Sequence, residues 1–465
     1  MNKYSLSILA VIFSTASLYS TKSFAEDFYE IVDLGSFEGG NTSYGYSINA
    51  TNQVVGYSIK EQDTGIIRGY LYDDGSSELT DIGAIDNSEV LVEITNTVDG
   101  EELTTTEDVG VDGTSSFAFA VSDDGVVVGY TERMFGSVTV TIADEITTET
   151  ATGTLVERAI YFDSNTLQIT ELPDFLENGS RGMRATAIRN NFIVGTGLYD
   201  EPDDLTDNGD EIITIFDRAF IYDVNSAVLT KINPLGNDLS HHITLRDINE
   251  SGYAVGVSAE KTISITNAIV FNRKVVGVDL NSPENVVELI ILGTNSQQVS
   301  SINGFNKIVG KANDTTETYE TAYMHDINTA VTIDLGVLNS SSPFSDALDI
   351  NDRDQIVGIS RIKIQPTTTY SGFIYEDGEM KDLSKMIGCD TGWRIHDARS
   401  INNNGFITGT GVLNGDVRAF MLRPIPDQTA PICDDDSLNT GSGSTSLLSL
   451  LSLAGLLVIR RRYLP

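Results

Sequence analysis

Apolar and polar residues in this chain fall into a pattern that returns seven times. In DINESGYAVGVS (247–258) an apolar-alternating run ends at Ile248-Asn249, a short polar turn follows, and a second apolar run closes on Val255-Gly256. Its counterparts are SINATNQVVGYS (47–58), VSDDGVVVGYT (121–131), IRNNFIVGTG (188–197), SINGFNKIVGKA (301–312), DINDRDQIVGIS (349–360) and SINNNGFITGTG (400–411). Alternation with period two is the mark of a half-buried strand. The Asn, Asp, Ser and Gly between the runs supply positive φ and local hydrogen bonds for a short turn. Each copy therefore predicts a tight hairpin.

A second element follows each hairpin. RAFIYD (218–223) has counterparts RGYLYD (68–73), RAIYFD (158–163), NAIVFN (267–272), TAYMHD (321–326), SGFIYE (371–376) and RAFMLR (418–423). Each starts with a polar and a small residue and continues aromatic and aliphatic. Most are followed by a short fourth strand such as LTDIG (79–83) or TIDLG (332–336). Four strands per unit and seven units predict an all-β, seven-bladed β-propeller over residues 26–425. The last unit lacks a fourth strand, and YEIVDLG (29–35) stands unpartnered at the start. Pairing it with RAFMLR would close the ring.

Variation between copies is concentrated in two connections, from second to third strand and from one blade to the next, which share one face of a propeller. Insertions on one face mark a binding side. The segments 84–115 and 132–156 each predict an added hairpin, the first turning at Asp99-Gly100, whereas 198–216 predicts an acidic loop with a short strand. Asp204, Asp207, Asn208 and Asp210 in that loop are candidate Ca²⁺ ligands, since Ca²⁺ takes six to eight oxygens. The loop departs from the EF-hand pattern, and a solvated acidic loop is the competing reading. Among aromatics in or beside variable connections, Trp393, Tyr370 and Phe135 are candidate ligand contacts; packing between blades is the alternative for them.

Charge and composition narrow the functional classes. With 67 acidic and 29 basic side chains the net charge is −38, which argues against nucleic acid as a partner. The chain holds four histidines, His241, His242, His325 and His396, none at zinc-ligand spacing, and structural roles are expected for them. No nucleophile motif or phosphate-cradling loop is present. Met1 to Ala25 reads as a secretory signal peptide cut before Glu26: Lys3 supplies the charge, Leu6 to Leu18 the apolar region. In an exported chain the two cysteines, Cys389 and Cys433, are expected to bridge. A polar linker spans 426–446, and residues 447–465 form an apolar tail with Arg460, Arg461 and Arg462 near its end. Thirteen apolar residues are short for a membrane span of about 20, so a cleavable sorting signal is expected.

The units resemble the HAF repeats of bacterial extracellular proteins, on Asp33-Leu34-Gly35, Gly39-Gly40, Ser47-Ile48-Asn49 and Val54-Val55-Gly56, with looser matches through residue 423. That family carries no assigned activity. The tail, with Gly441 and Gly443 ahead of the apolar stretch and arginines, resembles the GlyGly-CTERM sorting signal of Gram-negative bacteria. The resemblance implies display at the outer surface or release, with the membrane as partner until processing. Together these readings predict a monomeric, non-enzymatic binding propeller that takes a glycan, protein or matrix ligand on its long-loop face, with Ca²⁺ the one cofactor considered. The alternative is a polysaccharide lyase or hydrolase acting at the channel mouth.

Overall fold

The computed structural model describes residues 27–429, apart from 62–64, 77, 86–90, 99–100, 109–114, 136–137, 144–145, 152–153, 175–181, 208–209, 264–268, 292–296, 314–317 and 365–366. The expected signal peptide with its Ala25/Glu26 junction, Cys433, Gly441, Gly443 and the arginine tail lie outside the described residues. Among the described residues no helix is long and apolar enough to cross a membrane.

Seven four-stranded antiparallel sheets form a seven-bladed β-propeller. Blade 4 is representative: His242–Ile248 is innermost, followed outward by Tyr253–Ile263, Ile269–Asp279 and Val286–Glu288. Blade 7 takes its outermost strand from the other end of the chain. Asp27–Asp33 pairs antiparallel with Asp416–Thr429, with Ile31 opposite Leu422 and Asp33 opposite Phe420. The same strand reaches back to blade 6, where the Tyr29 N–H donates to the Met386 carbonyl at 2.8 Å. The ring closes as the unpaired strands of the sequence predict.

The core is a ring of seven apolar seams, each between neighbouring blades, rather than one central mass. Leu34, Ile48, Val54 and Tyr70 meet Ala419 and Met421 at the seam between blades 7 and 1. Small residues at the second position of the third strands belong to these seams. A Cβ on Gly69 would lie 2.6 Å from Ile82 Cδ1 and 3.1 Å from the Ala118 nitrogen on blade 2. The arginine before the small residue holds nearby loop segments. Arg218 is fully buried and donates to the carbonyls of Leu239 and His241 in the connection to blade 4.

Two insertions form hairpins as expected, Leu91–Val98 with Glu101–Asp108 and Val138–Ala143 with Ile146–Ala151. They also join, Thr139 pairing parallel to Glu93, into an eighth four-stranded sheet. The sequence expectation for 198–216 needs correction. The acidic stretch is not an irregular loop: Phe192–Asp207 and Asp210–Asp223 pair out to Asp207 opposite Asp210, with one break in register that leaves out Asp204 and Leu205. The β-branched run Ile212, Ile213 and Thr214 sustains the strand where acidic composition alone suggested a loop.

Candidate functional site

Every innermost strand breaks register at the same repeat position, and that of blade 7 breaks a second time at His396. In blade 4 Leu245 pairs with Gly256 and Asp247 with Val255, so Arg246 is left out of the ladder as a β-bulge. The same skip leaves out Tyr46, Phe119, Thr186, Ser300, Leu348 and Arg399 in the other blades. All seven line the central channel. The bulge accounts for the recurring hairpin glycine, because a Cβ on Gly256 would sit 1.9 Å from the Thr244 carbonyl oxygen, and on Gly56 1.8 Å from that of Tyr44.

Below the bulges, two further layers tie the blades together. Asp247 Oδ2 accepts from Ser301 Oγ (2.8 Å) and the Ile302 N–H (2.9 Å), and Asp349 Oδ2 accepts likewise from Ser400 Oγ (2.8 Å) and Ile401 N–H (2.9 Å). Burial pushes the Asp349 carboxyl above its ordinary range, and the neighbouring charge of Asp247 adds to this against the hydrogen bonds. The repeat asparagine has two tasks. Asn249 Oδ1 accepts from the N–H groups of Ser251 (3.1 Å) and Tyr253 (3.0 Å), shaping the turn, while Nδ2 donates to the Asn303 carbonyl (3.1 Å) of the next blade. Asn303, Asn351, Asn402 and Asn49 repeat the step around the ring. Blade 3 carries Arg189 at this position, 3.4 Å from Glu250.

At the end where the innermost strands begin, which is the face bearing the insertions, the channel opens into a cavity of 740 Å³. Its walls are chemically unlike. On blades 1 and 2, Tyr46 and Phe119 meet at 5.3 Å between ring centroids. Arg399 lies over Tyr46 at 4.5 Å, and Arg184 over Tyr130, behind that wall, at 5.0 Å. Four arginines, Arg184, Arg246, Arg273 and Arg399, line the cavity against two aspartates, Asp217 and Asp346. Arg184 is bound by both oxygens of Glu157, and Arg399 Nε sits 3.2 Å from Asp397. Arg246 and Arg273 have no hydrogen-bond or ion-pair partner among the described residues. Burial pushes the Arg246 guanidinium below its ordinary range; Asp217 opposes this and nearby Arg184 adds to it. Asp346 lies 3.2 Å from Lys311, yet burial holds its carboxyl above the ordinary range and its Oδ1 has no partner.

His242 stands in the same cavity, its Nδ1 3.0 Å from Asp217 Oδ2. Phe216 and Phe271 flank the imidazole at 5.3 and 5.5 Å. The other histidines lie elsewhere: His325 is buried on the Thr332 hydroxyl (2.8 Å), His241 is 3.5 Å from Asp238, and His396 packs on Tyr370.

Of the aromatics singled out in the sequence, Trp393 and Tyr370 are not in this cavity. Trp393 packs edge-on against Phe420 at 6.1 Å beside the core of blade 7, and Tyr370 sits between Phe344, His396 and Arg361. Phe135 ends the strand Val126–Phe135, and its side chain lies outside the described residues. Asp204, Asp207 and Asp210 lie on the blade 3 hairpin, but their side chains, and Asn208 altogether, are also outside the described residues. Among the described residues no three potential ligands converge as a metal site. Cys389 is disulfide-bonded; the chain's other cysteine is Cys433. Sequence reasoning missed the bulge residues and the pairing of His242 with Asp217. A comparison of copies at the third position before each repeat asparagine would have exposed Tyr, Phe, Thr, Arg, Ser, Leu and Arg.

No protein-family profile and no curated protein matches this sequence. Solved structures match in fold. The β-propeller domain of the Trilobed protease from Pyrococcus furiosus is 10% identical with a TM-score of 0.45, over 84% of this chain and 100% of that one. An oligogalacturonate lyase from Vibrio parahaemolyticus is 12% identical with a TM-score of 0.47, over 86% and 94%. A polysaccharide lyase of the ulvan lyase type is 8% identical with a TM-score of 0.37, over 85% and 94%. Likeness at this level concerns the fold alone, but propellers of this kind include enzymes, and that corrects the expectation of a non-enzymatic protein. The physical reason lies in the architecture: channel residues come from different strands and blades, so an active propeller need carry no local catalytic motif.

Proposed function

We propose that the protein binds an acidic glycan in the cavity at the long-loop mouth of its channel. The observation that supports this is Arg246 and Arg273, two guanidiniums without a hydrogen-bond or ion-pair partner among the described residues, in a cavity of a chain whose net charge is −38. Guanidiniums that line a cavity without a salt-bridge partner are available to an anion, and their donors suit the two oxygens of a carboxylate or sulfate. Tyr46 and Phe119 on the opposite wall offer apolar faces to a sugar ring. Export, as the first 25 residues lead one to expect, would expose the site to extracellular polysaccharide.

The test is titration calorimetry with uronate oligosaccharides (oligogalacturonate, oligoalginate and a glucuronate-containing oligosaccharide) against neutral oligosaccharides of equal length. The acidic series should bind and the neutral series should not. Arg246→Gln and Arg273→Gln should each weaken binding about tenfold or more, the scale of a lost charge-assisted pair. Equal affinity for neutral glycans, or full affinity in both variants, would refute the reading.

A further inference from the structure

We propose that the same mouth is a catalytic centre in which His242, positioned by Asp217, transfers the proton of an elimination reaction on a uronate-containing glycan. This rests on the acidic-glycan reading above. Nδ1 of His242 lies 3.0 Å from Asp217 Oδ2 and 3.1 Å from the Asp217 backbone nitrogen. The two contacts belong to different tautomers: Nδ1 accepts from the Asp217 backbone N–H when the hydrogen is on Nε2, and donates to Asp217 Oδ2 when the hydrogen is on Nδ1. The elimination uses the second, in which Nε2 carries the free lone pair. Nε2 has no partner among the described residues and is not sealed from solvent, the side chain keeping 17% of its surface exposed. The flanking Phe216 and Phe271 rings hold the imidazole plane, and buried Arg218 anchors the carbonyls of Leu239 and His241 just before it. Base and orienting carboxylate come from adjacent blades, and unpartnered Arg246 and Arg273 line the cavity they face.

The chemistry follows from these groups. In a uronate, the carbon bearing the carboxylate holds a hydrogen that becomes removable once the charge arriving on the carboxylate is offset. Arg246 and Arg273 donate to the carboxylate oxygens and offset it. His242 Nε2 takes the hydrogen as a proton, and the C–H electron pair becomes a C=C bond to the neighbouring carbon. The bond from that neighbour to its glycosidic oxygen breaks with its electron pair, and the imidazolium returns the proton to that oxygen. The products are a free hydroxyl on one fragment and an unsaturated uronate on the other, so the step balances without oxidant, reductant or water. Hydrolysis fits less well, since it uses two carboxyls flanking the bond, and here Asp217 is engaged by His242 and Asp346 by Lys311.

The experiment incubates the full chain with the same uronate oligosaccharides, following the ultraviolet absorbance of the unsaturated product, with calorimetric binding in parallel. Absorbance should rise with at least one oligosaccharide that binds. His242→Gln should bind that oligosaccharide as wild type does, which also reports an intact fold, while its turnover falls about 100-fold or more. Asp217→Asn, a positioning variant, should lower kcat more than it raises KM and reshape the pH profile, with partial rescue by Asp217→Glu. If the oligosaccharides bind through the arginines and none is converted, or if His242→Gln turns over as wild type, the elimination proposal is overturned while the binding reading stands. If none binds, both fall.

Discussion

Replacing Gly256 by alanine would put a methyl carbon 1.9 Å from the Thr244 carbonyl oxygen, far inside contact distance. The obstruction is backbone that the bulge at Arg246 has displaced, not a side chain that can swing aside. Gly256→Ala should therefore cost about 1–3 kcal/mol, the scale of overpacking, measured by denaturant unfolding; a variant as stable as wild type would contradict the bulge geometry. The second residue-scale case is Ser301, whose Oγ lies 2.8 Å from Asp247 Oδ2 and 2.7 Å from Asp349 Oδ1. One hydroxyl hydrogen cannot serve two ionised carboxylates. A proton on Asp349 donated to Ser301 resolves the conflict, in line with the upward shift of that carboxyl. A carboxyl raised above its unfolded value of about 3.9 contributes stability that is full below that value and is lost as pH rises through the folded one. The unfolding free energy of wild type minus that of Asp349→Asn should thus decline from acid toward neutral pH. A difference that stays flat or grows would exclude the protonated form.

Elements were legible to different degrees. The hairpins and six of the third strands could be read because alternation, turn residues and the polar-small-aromatic opening are local signals. Blade 4 is the exception, since Gly256 pairs with Val276, which puts KVVGVD (274–279) and not NAIVFN (267–272) at the repeat position, its aliphatic run lacking the small-aromatic opening. The acidic segment 198–216 misled because charge outweighed the β-branched residues Ile212, Ile213 and Thr214. Parallel pairing between the two inserted hairpins was invisible, since nothing in Leu91–Val98 or Val138–Ala143 specifies a partner. Nor could the site be read: Arg246 occupies an ordinary alternating position in its strand, and only the register skip turns it into a channel residue. His242 and Asp217 meet because blade 4 packs against blade 3, a relation between elements that no motif window contains. Trp393 drew attention as an aromatic beside a variable connection, yet its indole packs beside the core of blade 7.

At the scale of the whole molecule, ring closure rests on one strand. Asp27–Asp33 fills blade 7, and Leu34 joins the seam with Ala419 and Met421. Deleting residues 27–36 would leave that seam open and an unpaired edge along Asp416–Thr429. Unfolding of the truncated chain should lose its single cooperative transition in calorimetry; an unchanged sharp transition would show that the ring does not depend on this strand. The bulges have a consequence at this scale too. Because each bulge residue stands outside the hydrogen-bond ladder, its identity is uncoupled from the pairing that holds its blade together. The channel thus works as a dial of seven exchangeable letters, here Tyr, Phe, Thr, Arg, Ser, Leu and Arg, mounted on a frame that holds few of them, Thr186 through the Val194 and Leu245 carbonyls and Arg399 through Asp397. A lineage could retune what this channel recognises one blade at a time, with each intermediate still folding.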